Sequence, residues 1–115
     1  MATKDGTTLA MGSPGASRIT TTIFQSWLRI AFDNMSFEDM VRAPRLHVEN
    51  IGDEFIVQHE PGIDVSLAAQ QFKLRAFEDK DMYFGAMNVA GCDKRGNLHA
   101  LADNRRHGAQ YISDR

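Results

Sequence analysis

The feature that most constrains the fold is a tight turn placed directly before a long helix. Residues 12–18 (GSPGASR) follow Thr7-Thr8-Leu9-Ala10-Met11, which has the composition of a short buried strand. After the turn, apolar residues recur at the three- and four-residue steps of one helix face: Ile19, Ile23, Phe24, Trp27, Leu28, Ala31, Phe32 and Met35. Ser17 is well placed to cap this helix. The sequence therefore predicts a strand, a turn and a helix in succession.

A second, shorter helix is predicted by the segment Ser36-Phe37-Glu38-Asp39. It has the form of a capping box, in which the Ser side chain accepts from a backbone N–H near Asp39 while the acid reaches back. Glu38 and Asp39 are helix-start acids that the helix dipole favours. Pro44 ends the helix at about Ala43, because its ring removes a donor and restricts the residue before it.

The middle of the chain changes to alternating apolar residues. Leu46, Val48 and Ile51 precede Gly52-Asp53, and residues 55–57 follow it, which predicts either a hairpin or two irregular short strands. Asp64 can cap a third short helix that runs to about Gln71. Residues 73–78 are predicted to form an edge strand.

The last third predicts two antiparallel strands. Met82–Cys92 and Asn97–Ala102 are apolar-rich and are separated by a polar turn of hairpin length. Residues 1–6 and 106–115 are polar, and we expect them to be flexible and peripheral. No repeat or interdomain linker is present in the sequence, so the 115 residues predict a single domain.

Composition excludes several classes of partner. A formal net charge of -2 and a pI near 6.0 leave no large basic surface for nucleic acid or anionic membrane. No run approaches the roughly 20 apolar residues that span a bilayer. Cys92 has no second cysteine to pair with, and we interpret it as a small buried hydrophobic residue.

The turn at residues 12–18 has a chemical interpretation and a plainer one. A Gly-rich turn at a helix N-terminus presents unpaired N–H groups that bind a phosphate, a carboxylate or a developing oxyanion. It is not a P-loop, since no Lys follows the glycines. The plainer interpretation, which the turn by itself favours, is that glycine serves only the backbone conformation.

Three blocks carry a resemblance to a known family. Residues 11–21 (MGSPGASRITT) are similar to the Gly-Ser-Pro-Gly-Gly-Ser-Arg-Ile stretch of the gamma-glutamyltransferase (gamma-glutamyltranspeptidase, glutathione hydrolase) small subunit. Residues 43–47 (APRLH) resemble its Ala-Pro-Arg-Phe-His block. Residues 91–105 resemble its terminal hairpin, with Asp103-Asn104-Arg105 where Asp-Pro-Arg is usual. The blocks occur in the family's order and span almost the whole chain.

The resemblance implies a fold. It is an α+β fold, the C-terminal portion of the α/β/β/α sandwich of N-terminal-nucleophile hydrolases, with antiparallel strands and two to three helices. Strands that pair with a missing part would be exposed edges, so we expect a homo-oligomer that forms through these strands.

The resemblance also implies a chemistry. In the family a precursor cleaves itself and frees a Thr, which attacks the gamma-glutamyl amide with its own amine as base. The oxyanion donors of the family map onto the backbone N–H groups of Gly15 and Ala16, and Ser13 is a further candidate for a substrate contact. Ala16 replaces a glycine; if this residue needs a positive φ, the methyl group adds strain of about 1 kcal/mol or more. No metal or cofactor is implied.

The family's nucleophile and its other substrate-binding residues lie upstream of this loop and are not in this chain. Thr20, Thr21 and Thr22 fall inside the long helix, and Thr3 follows Met1-Ala2 and has no free amine. We therefore expect the chain alone to be inactive. Its expected partners are the upstream part of the same precursor, the large subunit and a gamma-glutamyl small molecule. The resemblance suggests a periplasmic or extracellular parent.

Alternatives remain open at this point. The chain could be a non-catalytic remnant or interaction module with the same fold, or a piece of a related acylase or poly-gamma-glutamate depolymerase. The remaining polar candidates are interpreted as structural. His47 is a hydrogen-bonded packing residue, Asp103 and Arg105 form an ion pair, and Arg45 anchors the turn after Pro44. His59, His99 and His107 lack zinc-ligand spacing.

Overall fold

The computed structural model describes residues 2–4, 6–105 and 111–113. Along these residues the elements occur in the following order: β1 (Ala2–Lys4), β2 (Thr7–Gly12), α1 (Arg18–Phe32), α2 (Phe37–Arg42), β3 (Leu46–Ile51), β4 (Glu54–His59), α3 (Ser66–Ala69), β5 (Lys73–Ala76), a 3₁₀ turn (Met82–Phe84), β6 (Asn88–Cys92), β7 (Leu98–Ala102) and β8 (Tyr111–Ser113). The predicted α+β class is confirmed.

The strands form two sheets. The larger sheet has the order β1-β2-β6-β7-β8, and all of its neighbouring strands are antiparallel. The smaller sheet has the order β3-β4-β5, in which β3 and β4 form an antiparallel hairpin and β5 runs parallel to β4. The hairpin prediction is therefore confirmed over the irregular alternative, and β5 lies at an edge as expected.

The core lies between the larger sheet and the helices. Alternate residues of β2, β6 and β7 face the same side of the sheet and meet side chains of α2 there. The buried cluster consists of Leu9, Phe37, Met40, Val41, Met87, Val89 and Leu101. Gly91 leaves the space that two core side chains occupy. A Cβ at that position would lie 2.9 Å from Leu9 Cδ1 and 3.1 Å from Phe37 Cε2.

Helix α1 buries a narrower face than its apolar periodicity predicts. Its two fully buried residues are the small polar Thr22 and Ser26, whereas Phe24 and Phe32 are 63% and 77% exposed. Ile23, Trp27 and Ile30 pack against the core from its edge. Half of the apolar residues in the helical pattern are therefore exposed.

The predicted capping role of Ser17 is wrong. Ser17 already has helical dihedrals, with a φ of -61° and a ψ of -22°, and its side chain makes no cap hydrogen bond. A capping residue normally needs an extended backbone for its oxygen to reach the N–H groups ahead of it. The helix instead begins with backbone bonds from Arg18 N to Gly15 O and from Ile19 N to Ala16 O.

The second helix follows the prediction closely. Ser36 has an extended backbone, and its hydroxyl accepts from Asp39 N at 3.1 Å, as the capping box requires. The reciprocal bond from the Asp39 side chain is not formed. The helix ends at Arg42, because Ala43 before Pro44 is extended, with a ψ of 144°.

The predicted third helix and the strand predicted at Met82–Cys92 are shorter in the structure. The third helix contains only four residues, Ser66–Ala69, although Asp64 Oδ1 accepts from Ser66 N near its start as expected. The predicted strand Met82–Cys92 begins only at Asn88, because Met82–Phe84 is a 3₁₀ turn and Gly85 has a φ of 93°. A positive φ at Gly85 ends the turn and prevents a continuous strand.

The two ends of the described chain contribute strands β1 and β8, to which the sequence assigns no structure. Residues 1, 5, 106–110 and 114–115, which include His107, lie outside the described residues. The flexibility of the ends and the single-domain organisation stay predictions. Among the described residues no helix is long and apolar enough to cross a membrane.

Candidate functional site

The loop between β2 and α1 rests on the segment 83–87. Ser13 Oγ accepts from Ala86 N at 3.1 Å and donates to Pro14 O at 2.9 Å. A Cβ on Gly85 would lie 2.2 Å from Ser13 Oγ and 3.3 Å from Pro14 O. Gly85 therefore permits the close approach of the loop to the segment beneath it.

Two consecutive N–H groups of the loop have no acceptor within residues 6–105. Gly15 N and Ala16 N form no hydrogen bond there, and Gly15 is half-buried while Ala16 is exposed. Both precede the N-terminus of the 15-residue helix α1, where the aligned peptide dipoles place partial positive charge. This combination favours an anion or a developing oxyanion.

The orientation of both N–H groups is fixed through the carbonyls of their own peptide units. In a planar trans peptide, the C=O of one residue points opposite to the N–H of the next. Pro14 O is held by Ser13 Oγ, so the Gly15 N–H points away from that hydroxyl. Gly15 O is held by Arg18 N at 3.0 Å, so the Ala16 N–H points away from the helix.

Ala16 lies in the left-handed region, with a φ of 52°. The strain expected at this position depends on a positive φ, and the structure meets that condition. An L-residue with a side chain costs roughly 1–2 kcal/mol in this conformation. Gly15, with a φ of 132°, carries the more demanding conformation with no side chain.

A clamp between Arg18 and Tyr83 fixes the first turn of α1. Arg18 Nε donates to Tyr83 O at 2.9 Å, and its guanidinium carbon lies 4.1 Å from the centroid of the Tyr83 ring. The Tyr83 hydroxyl lies 2.9 Å from Glu49 Oε2 and 2.6 Å from Gln58 Oε1. Burial raises the pKa of Tyr83, and the hydrogen bond to Glu49 raises it further. The clamp thus joins the helix start to the β3–β4 hairpin.

Thr21 and Thr22 of α1 and His47 are packing residues, whereas Thr20 is exposed. Thr21 Oγ1 lies 2.8 Å from His47 Nδ1, and Thr22 Oγ1 donates to Phe84 O at 2.8 Å. His47 is buried, and burial lowers its pKa, which favours the neutral ring. The interpretation of His47 as a hydrogen-bonded packing residue is confirmed.

A buried ion cluster, formed by Arg45, Glu60, Asp103 and Arg105, lies next to the same segment. Arg45 Nη1 is 2.7 Å from Asp103 Oδ2, Arg105 Nη1 is 3.0 Å from Asp103 Oδ1, and Arg105 also pairs with Glu60. The predicted Asp103–Arg105 pair is confirmed. Burial opposes ionisation of Asp103, but the Arg45 charge overcomes it and lowers the pKa of Asp103.

The ion cluster also binds the backbone of the segment 83–87. Arg45 Nη1 donates to Phe84 O at 3.2 Å, and Asp103 Oδ2 accepts from Met87 N at 3.1 Å. Arg45 therefore does more than anchor the turn after Pro44. Glu60, which is fully buried, was missed by the sequence analysis. Its only signal was an acid that ends an apolar strand immediately before Pro61.

The other candidates have structural partners elsewhere. His59 Nδ1 lies 3.0 Å from Glu60 O, and His99 Nε2 lies 3.2 Å from Asp93 Oδ2. Cys92 is half-buried rather than fully buried, and its thiol donates to Asp93 O. No group of three or more metal-binding side chains occurs in the part of the chain that the structure describes.

Comparison with known proteins identifies the family. The model of the gamma-glutamyltranspeptidase family matches residues 1–113. A search of curated protein sequences gives no match. Among solved structures, the gamma-glutamyltranspeptidase of Pseudomonas nitroreducens complexed with L-DON is 24% identical with a TM-score of 0.74, and the alignment covers 98% of this chain and 60% of that one.

Two further structures share the fold. The transpeptidase CapD of Bacillus anthracis is 21% identical with a TM-score of 0.76, over 98% of this chain and 67% of that one. A mutant gamma-glutamyltranspeptidase of Helicobacter pylori is 26% identical with a TM-score of 0.64, over 85% of this chain and 54% of that one. The architecture is that of N-terminal-nucleophile hydrolases, and the chain spans about 60% of the first of these relatives. With a family model matched over nearly its full length, the chain belongs to the gamma-glutamyltranspeptidase family.

Proposed function

We propose that the chain is part of a gamma-glutamyl acyl-transfer enzyme, in which Gly15 and Ala16 supply the oxyanion hole. The substrates are glutathione-like gamma-glutamyl amides, and the acyl group passes to water or to an amine. The observation that carries the proposal is the pair of N–H groups next to the α1 N-terminus that have no acceptor within residues 6–105. Membership of the family supports the assignment of that pair to acyl transfer.

The chemistry follows from where charge develops. When a nucleophile attacks the amide carbonyl, its oxygen becomes an oxyanion, and donors that already point at this position stabilise the transition state more than the substrate. One such donor contributes about 2.7–4 kcal/mol in comparable sites. Backbone donors suit this role because the loop fixes the peptide planes that carry them. Pro14 O accepts from Ser13 Oγ, and Gly15 O accepts from Arg18 N.

The nucleophile and the contacts to the glutamyl amine and carboxylate are proposed to come from the upstream part of the same precursor, together with the large subunit. This chain alone would then have donors but no attacking group, and we propose that it is inactive by itself. Phe24 and Phe32, exposed on α1, are consistent with further protein that covers this chain.

We also propose self-association of the isolated chain through its exposed strands. All four residues of β5 are exposed, and its outer edge has no neighbouring strand in the described sheet. Light scattering at increasing concentration should give a mass above that of the monomer. A monomer at all concentrations would reject this part of the proposal.

The oxyanion role is tested by removing one N–H group without changing the side chain. An amide-to-ester replacement at Ala16, in a precursor that contains the upstream region, should lower kcat for a gamma-glutamyl anilide by about a hundredfold or more. The same replacement at the exposed Ser17 is the matched control and should leave kcat nearly unchanged. Equal rates for both esters would reject the oxyanion assignment.

The inactivity of the chain alone is measured with the same anilide. We expect no release above background from the 115-residue chain and turnover from the longer precursor. Release that persists after repurification of the short chain would show that it carries a nucleophile of its own.

A further inference from the structure

We infer that Ser13 is a positioning residue that sets the direction of the Gly15 N–H, and that it does not bind the substrate through its proton. The inference rests on the proposed function, because it concerns one of the two oxyanion donors. It differs from the substrate contact that the sequence suggested for this side chain.

The hydrogen-bonding capacity of the Ser13 hydroxyl is nearly exhausted. A hydroxyl group has one proton and two acceptor lone pairs. The proton is donated to Pro14 O at 2.9 Å, and one lone pair accepts from Ala86 N at 3.1 Å. One lone pair remains, and a substrate carboxylate offers no proton to it. Ser13 is therefore unsuited to hold such a group.

The Ser13 hydroxyl instead fixes the orientation of a peptide plane. Pro14 O and Gly15 N belong to one trans peptide unit, so fixing the carbonyl fixes the N–H in the opposite direction. Within residues 6–105, Ser13 Oγ is the only donor to Pro14 O. The second plane, which carries the Ala16 N–H, is held independently by Arg18 N. Loss of the Ser13 hydroxyl should therefore release one donor and leave the other in place.

The support for Ser13 is itself rigid. Ala86 N belongs to the segment 83–87, where Phe84 O accepts from both Thr22 Oγ1 and Arg45 Nη1. The absence of a side chain at Gly85 lets the Ser13 hydroxyl enter, since a Cβ there would come within 2.2 Å of Oγ. Donation from Ala86 N also polarises the hydroxyl and strengthens its bond to Pro14 O. The direction of the Gly15 N–H is thus set by a chain of fixed contacts.

The test compares kcat with KM in the precursor that contains the upstream region. Ser13→Ala should lower kcat about tenfold to a hundredfold and leave KM unchanged, because the Gly15 N–H acts in the transition state and is misdirected rather than removed. Ser13→Thr keeps the hydroxyl and should restore most of the rate. Gly85→Ala keeps Ser13 but displaces its hydroxyl, and it should reproduce the loss of kcat.

Inhibitors provide a second measurement. A boronic acid analogue of the gamma-glutamyl group forms a tetrahedral adduct whose oxygen occupies the oxyanion position. Ser13→Ala should weaken its inhibition by the same factor by which kcat falls, while inhibition by glutamate stays unchanged. Ser36→Ala is the matched control, because the hydroxyl of this serine caps α2, where it accepts from Asp39 N. It should change neither constant.

The outcomes separate the two proposals. A raised KM with unchanged kcat in Ser13→Ala would identify a substrate contact and overturn the inference, as would no change in either constant. If the ester at Ala16 lowers kcat but neither Ser13→Ala nor Gly85→Ala does, only the inference about Ser13 fails. If the ester at Ala16 has no effect, the oxyanion assignment itself fails. Should Ser13→Ala not fold, Ser13→Cys, which retains the size but donates weakly, gives the same comparison.

Discussion

The loop at residues 12–16 and the buried ion cluster both contact the segment 83–87, but they differ in how far their polar groups are paired. Within residues 6–105, the loop leaves two backbone donors unpaired, one on a half-buried and one on an exposed residue. The cluster pairs four fully buried charges, and among the described residues its one buried side-chain nitrogen without a partner is Arg45 Nε. The difference indicates a division of roles, in which the cluster makes the support rigid and the loop keeps its donors available.

The largest expected effect comes from breaking the cluster. Arg45→Ala leaves the buried Asp103 with one cation fewer, and removing one partner of a buried ion pair typically costs about 3–5 kcal/mol. Urea unfolding of the chain should show this loss in the free energy of unfolding. The double variant Arg45→Met with Asp103→Leu should lose less, because it removes one charge of each sign and leaves the Arg105–Glu60 pair, although Met87 N loses its acceptor.

An exposed pair in the same chain is the control for that prediction. Lys73 Nζ lies 2.7 Å from Glu54 Oε1, but the two side chains are 67% and 55% exposed. Lys73→Ala should change the free energy of unfolding by at most about 1 kcal/mol, because solvent screens the pair. Equal losses at Arg45 and Lys73 would contradict the structural role of the cluster.

The next effect concerns the clamp at the helix start. Tyr83→Phe removes the hydroxyl that Glu49 and Gln58 share but keeps the ring beneath Arg18. We expect a loss of about 1.5–3 kcal/mol in thermal or urea unfolding, which is the typical contribution of a hydrogen bond to a charged group. Phe77→Leu, which removes a ring stacked on Tyr83 without touching its hydroxyl, measures the packing contribution separately. An unchanged stability in Tyr83→Phe would show that the hairpin does not hold the clamp.

How much of this was visible in the sequence depends on how far apart the interacting residues lie along the chain. Helix α2 has its capping serine and its terminating proline within one short segment, and its bounds were predicted well. The sequence predicts a strand at Met82–Phe84, where the structure has a 3₁₀ turn. An apolar run alone does not show whether its backbone pairs with a neighbouring strand or only passes through the core. Phe84 and the three residues after it are buried, as the inward-facing residues of a strand would be.

The site shows the same dependence on sequence distance. Gly15 and Ala16 are predicted as oxyanion donors from a local block that resembles a family motif, and the structure adds the positive φ of Ala16. Glu60 and Arg105 are 45 residues apart, and no local pattern predicts that they meet. Tyr83 was missed for the same reason, since its partners Arg18 and Glu49 lie in distant elements.

A smaller and opposite effect is expected in the loop. Ala16→Gly should stabilise the chain by about 0.5–1 kcal/mol, because glycine tolerates a φ of 52° and this relief exceeds its greater entropy in the unfolded state. The midpoint of thermal unfolding should rise by a few degrees. Ala69→Gly, at the C-terminal end of α3, is a control in which glycine should bring no gain. A destabilised Ala16→Gly would show that the methyl group makes contacts that outweigh the backbone strain.

The smallest effect is a pH dependence at the β6–β7 turn, away from both compared regions. Burial raises the pKa of Asp93. Hydrogen bonds from His99 and from the N–H groups of Asn97 and Arg95 outweigh this effect and lower the pKa to about 2. A carboxyl group with a lowered folded pKa contributes stability that is fully present above its unfolded pKa of 3.8 and is lost as the pH falls toward 2. Asp93→Asn should therefore flatten the decline of the melting temperature between about pH 4 and pH 2. Because Arg45 also lowers the pKa of Asp103, altering the buried cluster as well should flatten the remaining decline in Asp93→Asn further. A decline that is identical in the wild type and in Asp93→Asn would show that Asp93 does not contribute to the acid dependence.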